Sequence, residues 1–569
     1  MVEMTGSKAL MEALRREKVK VIFGMPGGAN LPIYDDLYDS GIKHVSVKHE
    51  QVGAHMADGY ARVSRGPGVC MATSGPGATN LVTGIATAYM DSSPVIAITG
   101  QVPKAMIGRD AFQETDVVGV MASITKHTIQ PLSAAEVPSA IKSAFYIANS
   151  GRPGPVLVDI PKDVQVENAE MIFPEKLEIR GYTPFLPIDR VKVAQAAEIL
   201  AKAERPVIWG GGGIRISDAS EPFTAIAELL NAPVVTSLQG KGIFPENHPL
   251  CLGPMGMHGR AEANKLIGEA DVILAAGVRF SDRTTGTADE FGKSAKIIHI
   301  DADPSEINKN KRVHLHLLGD AKEILGQIYK TLANSVKRKG PGSWIERINE
   351  VREEMKQISA YDTSRSDLTG PNIVRLMREI LPLDSILTTG VGRHQMWCEV
   401  HYQVLKPRTW ITSTGLGTMG FGLPAAVGAK FAKPDVPVID FDGDGSFMMT
   451  ETALAVAVEE RVPIIAIILN DKSLGMVEQW QRIFYKRRYS GVKTTAGPDF
   501  VKLAEAYGAD GRRVDSLEQF AKTLREGLGS DMPMLIDVPV DPEYDVFPFM
   551  APGKSLKDTV HGPKEMGIF

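Results

Sequence analysis

The sequence predicts an α/β protein of three doubly wound parallel-sheet domains, with the first and third related to each other. Three observations predict it. Short apolar runs end in Gly-rich turns and pass into helical patterns along the whole chain, the alternation that parallel sheets with crossover helices require. The 569 residues suit three or four domains at ~100–200 residues each. Two stretches of the first third recur in the last third in the same order: PVIAI (94–98) as PIIAI (463–467), and PVLVDIPKDV (155–164) as PMLIDVPVDP (533–542).

The elements follow in chain order. Residues 1–178 read as an N-terminal domain with strands in VKVIFG, HVSVKH, GVCMATS, PVIAITG and GPVLVDIP. Residues 179 to 190, broken by proline and glycine and without a period, read as a linker. The central domain, 190–336, carries RPVIWGGGG, APVVTSLQ, DVILAAGVRF and KIIHIDADP. A charged stretch from about Lys337 to Arg365 reads as linker plus surface helix. The C-terminal domain and tail, 366–569, carry SILTTGVG, TWITSTG, VPVIDFDGDGSF, VPIIAIILND and MPMLIDVPV.

Composition narrows the function classes. Apolar content of 43%, charged content of 23% and a net charge of −5 describe an ordinary globular protein and give no electrostatic reason to expect nucleic acid or an anionic membrane. Cys70, Cys251 and Cys398 are far apart, so neither a disulfide framework nor a zinc site is expected. The start of the chain goes straight into a helix and a strand, with no signal-peptide core and no long apolar run, and a cytoplasmic location is expected.

The stretch VPVIDFDGDGSFMMTETALAVAVEERVPIIAIILND reads as strand, Gly-rich turn, helix, strand. Asp444 falls just past the first strand and Asp471 just past the second. Parallel strands joined by one crossover helix are close in space, so both carboxylates reach the same sheet edge. Two carboxylates beside small residues suit Mg²⁺ with phosphate oxygens. Gly443, Gly445 and Ser446 would let backbone N–H groups approach a phosphate. A second carboxylate, Glu50, stands between the strand of HVSVKH and a helix start. By itself that position fits an acid facing the positive end of a helix dipole.

GDG followed, some two dozen residues on, by an Asn-containing turn resembles the signature of thiamine-diphosphate enzymes. The resemblance runs from Thr5 to about Pro552. It is closest to the catalytic large subunits of acetohydroxyacid (acetolactate) synthase, through FGMPGGANLPIYD, AITGQVPKAMIGRDAFQETDVVG, TSLQGKG, GMHG, GVRFSDRTTG, TTGVGRHQMW and NDKSLGMVEQWQRIFY. The family decarboxylates pyruvate on thiamine diphosphate. It transfers the hydroxyethyl unit to a second 2-ketoacid, pyruvate or 2-ketobutyrate, in branched-chain amino acid biosynthesis. Rival reactions on the same scaffold are a flavin-linked pyruvate oxidase and a 2-ketoacid decarboxylase.

The resemblance implies the thiamine-diphosphate-binding fold for the outer domains and a Rossmann-like middle one. It makes Glu50 the acid that protonates the cofactor's pyrimidine, with Gly28, Gln113 and Lys162 as further catalytic positions. Asp444, Asp471 and the carbonyl of Ser473 become the Mg²⁺ ligands. Arg393, His394, Gly417, Met419, Gly443, Gly445, Ser446 and Met476 contact thiamine diphosphate. Phe112, Arg283 and Trp480 contact substrate: Arg283 pairs the acceptor's carboxylate bidentately, and Trp480 forms an aromatic wall favouring 2-ketobutyrate. Arg152, Gly211, Gly212, Met257, Arg279, Asp301 and Asp320 fall on FAD-contacting motifs, the FAD being structural. A homodimer or homotetramer is implied, because the family's site joins the first domain of one subunit to the third of another. A small regulatory subunit often accompanies the family. The chain departs from the pattern at Asp471 (usually Asn), Ser281 (usually Asp), Arg393 (usually Gln) and Arg109 (usually Thr).

Overall fold

Three six-stranded parallel sheets, each covered by helices on both faces, carry the chain. The structure is a computed structural model, and it describes residues 2–184, 187–336, 340, 342–358 and 367–566. Parts of both expected linkers lie outside those residues, as do the chain's first and last residues and position 366.

In spatial order the first sheet runs Lys43–Ser46, Val21–Gly24, Gly68–Ala72, Val95–Gln101, Val156–Pro161, His127–Ile129. The third runs Trp410–Thr412, Ile386–Thr389, Val438–Gly443, Ile465–Asn470, Met534–Pro539, Asp510–Arg513. Numbered along the chain, both have the order 2-1-3-4-6-5. The strands of the paired PVIAI and PIIAI stretches hold the same place in each, so the internal repeat is a repeat of topology. The middle sheet runs Cys251–Pro254, Val234–Thr236, Pro206–Gly210, Val272–Ala276, Lys296–Asp301, Leu315–Leu318. Its order, 3-2-1-4-5-6, is that of a dinucleotide-binding sheet.

Central strands such as Val95–Gln101 and Met534–Pro539 are buried along nearly their whole length, which is why they read as continuous apolar runs. Four strands were absent from the sequence reading: His127–Ile129, Cys251–Pro254, Leu315–Leu318 and Asp510–Arg513. All four are edge strands. Asp510–Arg513 has no apolar residue, and Cys251–Pro254 spells a turn, CLGP. Also unexpected is the ribbon of Val2–Thr5 against Asn168–Met171. Helix Ser343–Ile358, inside the stretch read as linker plus surface helix, buries Trp344, Ile348, Val351 and Met355. Trp344 Nε1 donates to the carbonyl of Pro206 at 3.1 Å.

The outer domains meet through helix Glu50–Ser64 and helix Gly422–Ala432. A Cβ on Gly428 would lie 1.9 Å from the carbonyl oxygen of Met56, and one on Gly59 would lie 2.2 Å from that of Ala425. Only glycine lets the backbones approach this closely. The join fuses the apolar faces of the outer domains into one core that includes Val52, Ala54, Phe421 and Leu423. Among the described residues no helix is long and apolar enough to cross a membrane.

Candidate active site

Strands Val438–Gly443 and Ile465–Asn470 are parallel neighbours, with Gly443 opposite Leu469. Asp444 and Asp471 therefore emerge side by side, each one residue past its strand. Asp444 is buried and accepts from the Thr494 hydroxyl at 2.5 Å. Burial, then the neighbouring charge of Asp471, pushes its carboxyl up to about 7. Asp471 is raised too, by burial, and Arg393 opposes the shift. Its Oδ1 is buried without a hydrogen-bond partner. Two desolvated carboxylates with an oxygen to spare make a site that a cation relieves. Among the described residues no group of three or more His, Cys, Asp or Glu side chains could by itself hold a metal ion.

Ser473 lies in the turn after Asp471. Lys472 has the left-handed φ of 54°, unusual for a non-glycine residue. The Ser473 hydroxyl is occupied in donating to Glu478, which Lys493 also grips at 2.6 Å. Around the acids the backbone is tight: a Cβ on Gly443 would lie 2.8 Å from His394 Nδ1, and one on Gly445 would lie 2.5 Å from Leu474. Ser446 Oγ accepts from the N–H of Gly420 at 2.9 Å, which ties this turn to the loop bearing Gly417 and Met419. Gly417 has φ 68° and open space on its Cβ side. Burial lowers His394 to about 3, so its imidazole is neutral. Arg393, buried, pairs Asp471 Oδ2 at 2.5 Å.

A buried network missed by sequence reasoning holds the Gly417 loop. Arg62 forks onto Asp58 at 2.7 and 2.9 Å, reaches Asp91 at 3.1 Å and donates to the carbonyl of Thr412 at 2.8 Å. Asp91 in turn accepts from the Thr414 hydroxyl and the Gly415 N–H, both at 2.8 Å. Asp58 and Arg62 are one turn apart on helix Glu50–Ser64, and the fold brings Asp91 and the Thr412 carbonyl to them.

Glu50 begins its helix, buried, behind the N-cap His49. Asn80 Nδ2 donates to its Oε2 at 2.9 Å. A Cβ on Gly77 would approach Oε1 to 3.1 Å, so the turn SGPGATN is shaped around the carboxyl. Gly28, after strand Val21–Gly24, faces open space. Lys162 opens helix Lys162–Val166 behind strand Val156–Pro161. Gln113 has φ 58° and packs its backbone against Gly75. Beside it Phe112 is 89% exposed. Glu114 accepts from the N–H groups of Gly108, Arg109 and Ala111, which orders this loop; Arg109 lies on it, exposed. Among the described residues no hydrogen bond or ion pair joins Glu50, Gln113 or Lys162 to Asp444 or Asp471.

The middle sheet faces a cavity of about 1150 Å³. Arg152, Gly212, Met257, Arg279, Asp301 and Asp320 line it, and so do Arg283, Gly417, Met476 and Trp480 at the third domain's side. One void thus connects the expected FAD residues with the expected substrate residues. Arg283 stands over the Trp480 ring, 5.6 Å from its centroid, and Trp480 Nε1 is buried and unpaired. Ser281 lines the void as the N-cap residue of helix Asp282–Thr285.

Gly211 packs beside this wall, where a Cβ would strike the Gly277 carbonyl at 2.3 Å, while Gly212, Gly213 and Gly277 line the cavity. Asp320 is engaged as a helix cap, accepting from Glu323 N–H at 3.1 Å and from Ser217 at 2.8 Å. Arg152 pairs Asp303 at 3.1 Å and Glu306 at 2.8 Å. Burial raises Asp301 to about 6. The void's size, its guanidinium groups and its close-packed glycine backbone suit an extended anionic dinucleotide.

Comparison with known proteins finds thiamine pyrophosphate enzyme domains in all three parts of the chain. Three family models match: "Thiamine pyrophosphate enzyme, N-terminal TPP binding domain" over residues 4–120, the central domain over 193–328, and the C-terminal TPP binding domain over 390–538. The chain is 47% identical over 566 residues to the probable acetolactate synthase large subunit of Methanocaldococcus jannaschii, covering 98% of this chain and 95% of that one. It is 43% identical to the probable acetolactate synthase large subunit of Methanococcus aeolicus, over 99% of this chain and 96% of that one. The acetolactate synthase large subunit of Corynebacterium glutamicum is also 43% identical, over 98% and 90%.

Proposed function

This chain belongs to the acetolactate synthase large subunits of the thiamine pyrophosphate enzyme family, and on that premise we propose how its residues run the condensation of two pyruvates to 2-acetolactate and carbon dioxide. Thiamine diphosphate, when bound, supplies the nucleophilic carbon and the electron sink that decarboxylation needs. Asp444, Asp471 and the Ser473 carbonyl hold Mg²⁺ against its diphosphate, beside the backbone of Gly443, Gly445 and Ser446 and next to Arg393 and His394. The observation that carries this reading is the pair of buried carboxylates at adjacent strand ends, both raised by burial, one with a free oxygen.

Glu50 holds and returns a proton at the pyrimidine, its carboxyl oriented by Asn80 and shielded from water by burial. The Gly417 carbonyl and the Met419 and Met476 side chains orient the cofactor. Arg283 binds the carboxylate of the second ketoacid. The apolar wall of Trp480 beside it gives 2-ketobutyrate a place for its extra methylene. Gly28, Phe112, Gln113 and Lys162 close the site from a second protomer, which fits an exposed Phe112. The central cavity takes FAD in a structural role, since no redox change accompanies the condensation. Mg²⁺, FAD, the homodimer and a place in branched-chain amino acid biosynthesis are all parts of this proposal.

Purified protein with pyruvate, thiamine diphosphate, Mg²⁺ and FAD tests it. Acetolactate formed without oxygen uptake is the expected result. Hydrogen peroxide with acetyl phosphate, or free acetaldehyde as main product, would overturn it.

A further inference from the structure

Building on the assignment of Asp444 and Asp471 as metal ligands, we propose that Arg393 is a positioning residue for the metal. Its guanidinium fixes Asp471 by one oxygen, leaves the other free for the cation, and cancels the charge that Asp471 brings to the site.

The geometry supports each part. Arg393 Nη2 lies 2.5 Å from Asp471 Oδ2, while Oδ1 is buried and unpartnered. The opposite face of the guanidinium is anchored: Nη1 donates to the carbonyls of Pro542 at 2.7 Å and Tyr544 at 3.0 Å, and the Trp397 ring lies 5.7 Å from Cζ. The arginine is 2% exposed, so it has no rotamer freedom with which to follow a moving carboxylate. Gly475 closes the arrangement. A Cβ there would sit 2.4 Å from Arg393 Nε and 2.5 Å from Asp471 Oδ2. Asp440, Asp442 and Asp444 are buried at the same sheet end; Lys493 is taken up by Glu478 and Arg482 by Asp545, so Arg393 is the cation in contact with Asp471. A buried ion pair is costly to halve and cheap to replace whole. Asp545 also lies 4.0 Å from Arg393 Nη1, but Arg482 pairs it more closely at 3.1 Å, so Asp471 is the nearer partner of Arg393 and losing either member of that pair leaves an uncompensated charge.

The test compares the parent with R393Q, D471N and the double variant R393Q/D471N. Thiamine diphosphate binding is followed by intrinsic tryptophan fluorescence during MgCl₂ titration without pyruvate, and the thermal midpoint of the metal-free protein is measured in parallel. D471N leaves a buried cation facing the metal, and the half-saturating Mg²⁺ concentration should rise about tenfold or more. R393Q should lower the metal-free thermal midpoint. In the double variant both readouts should return close to the parent, with Mg²⁺ within about threefold. A double variant as impaired as D471N, or more so, would overturn the inference. If the parent itself binds thiamine diphosphate without regard to Mg²⁺, the metal assignment fails instead, and that outcome is distinct.

Discussion

The guanidinium of Arg283 lies 5.6 Å from the centroid of the Trp480 ring, one residue from the loop edge of the middle sheet and the other from a helix of the third domain. A cation held against an aromatic face at the end of a shared cavity offers an acceptor both a carboxylate partner and an apolar wall. Arg283→Ala should cost about 1.5–3 kcal/mol of acceptor binding, a ten- to hundredfold rise in acceptor KM. Free acetaldehyde should increase at the expense of acetolactate. Trp480→Leu should leave pyruvate condensation in place and lower the preference for 2-ketobutyrate. Product ratios with both acceptors in competition check each outcome.

Glu50 carries the proton argument. Glu50→Gln should lower kcat by about 10²- to 10⁴-fold, with far-UV circular dichroism unchanged. Asn80→Ala, which removes only the hydrogen bond to Oε2, should have a smaller effect in the same direction. A Glu50→Gln protein as active as the parent would remove this role.

The contact of helices Glu50–Ser64 and Gly422–Ala432 sets the spacing of the outer domains. Gly428→Val would drive side-chain atoms into the Met56 carbonyl, 1.9 Å from where a Cβ would stand. Overpacking of this kind costs about 1–3 kcal/mol or more. Chemical denaturation should show the loss directly. Gly340→Ala, at a position with open space around it, is the control and should change stability little.

His55, buried between Gln51 and Phe421, has its imidazole lowered to about 4 by burial. The unfolded chain takes up a proton near the ordinary value of 6.5, before the folded one does. Stability from this group is therefore complete above 6.5 and is lost as pH falls toward 4, by at most about 3 kcal/mol. Denaturation midpoints of the parent should fall more steeply over that window than those of His55→Gln. Parallel slopes would show that His55 does not titrate there.

Much of this layout was legible in the residues. Asp444 and Asp471 follow apolar strands joined by one helix, and parallel topology alone puts them together. The PVIAI and PIIAI echo marked equivalent strands of two sheets. Edge strands such as Asp510–Arg513 were not legible, because a half-solvated strand needs no apolar pattern. Partner choice was not legible either: Arg62 meets Asp91 and the Thr412 carbonyl from elements that the chain alone does not bring to it.

The account's central claim is that Glu50 of one protomer works with Asp444 of another. Mixing the two inactive variants Glu50→Gln and Asp444→Asn under conditions that exchange subunits measures this most directly. Each mixed dimer then contains one site with both carboxylates intact, so activity should recover to about a quarter of the parent's at random pairing. Mixtures that stay as inactive as the separate variants, with subunit exchange verified, would contradict the claim.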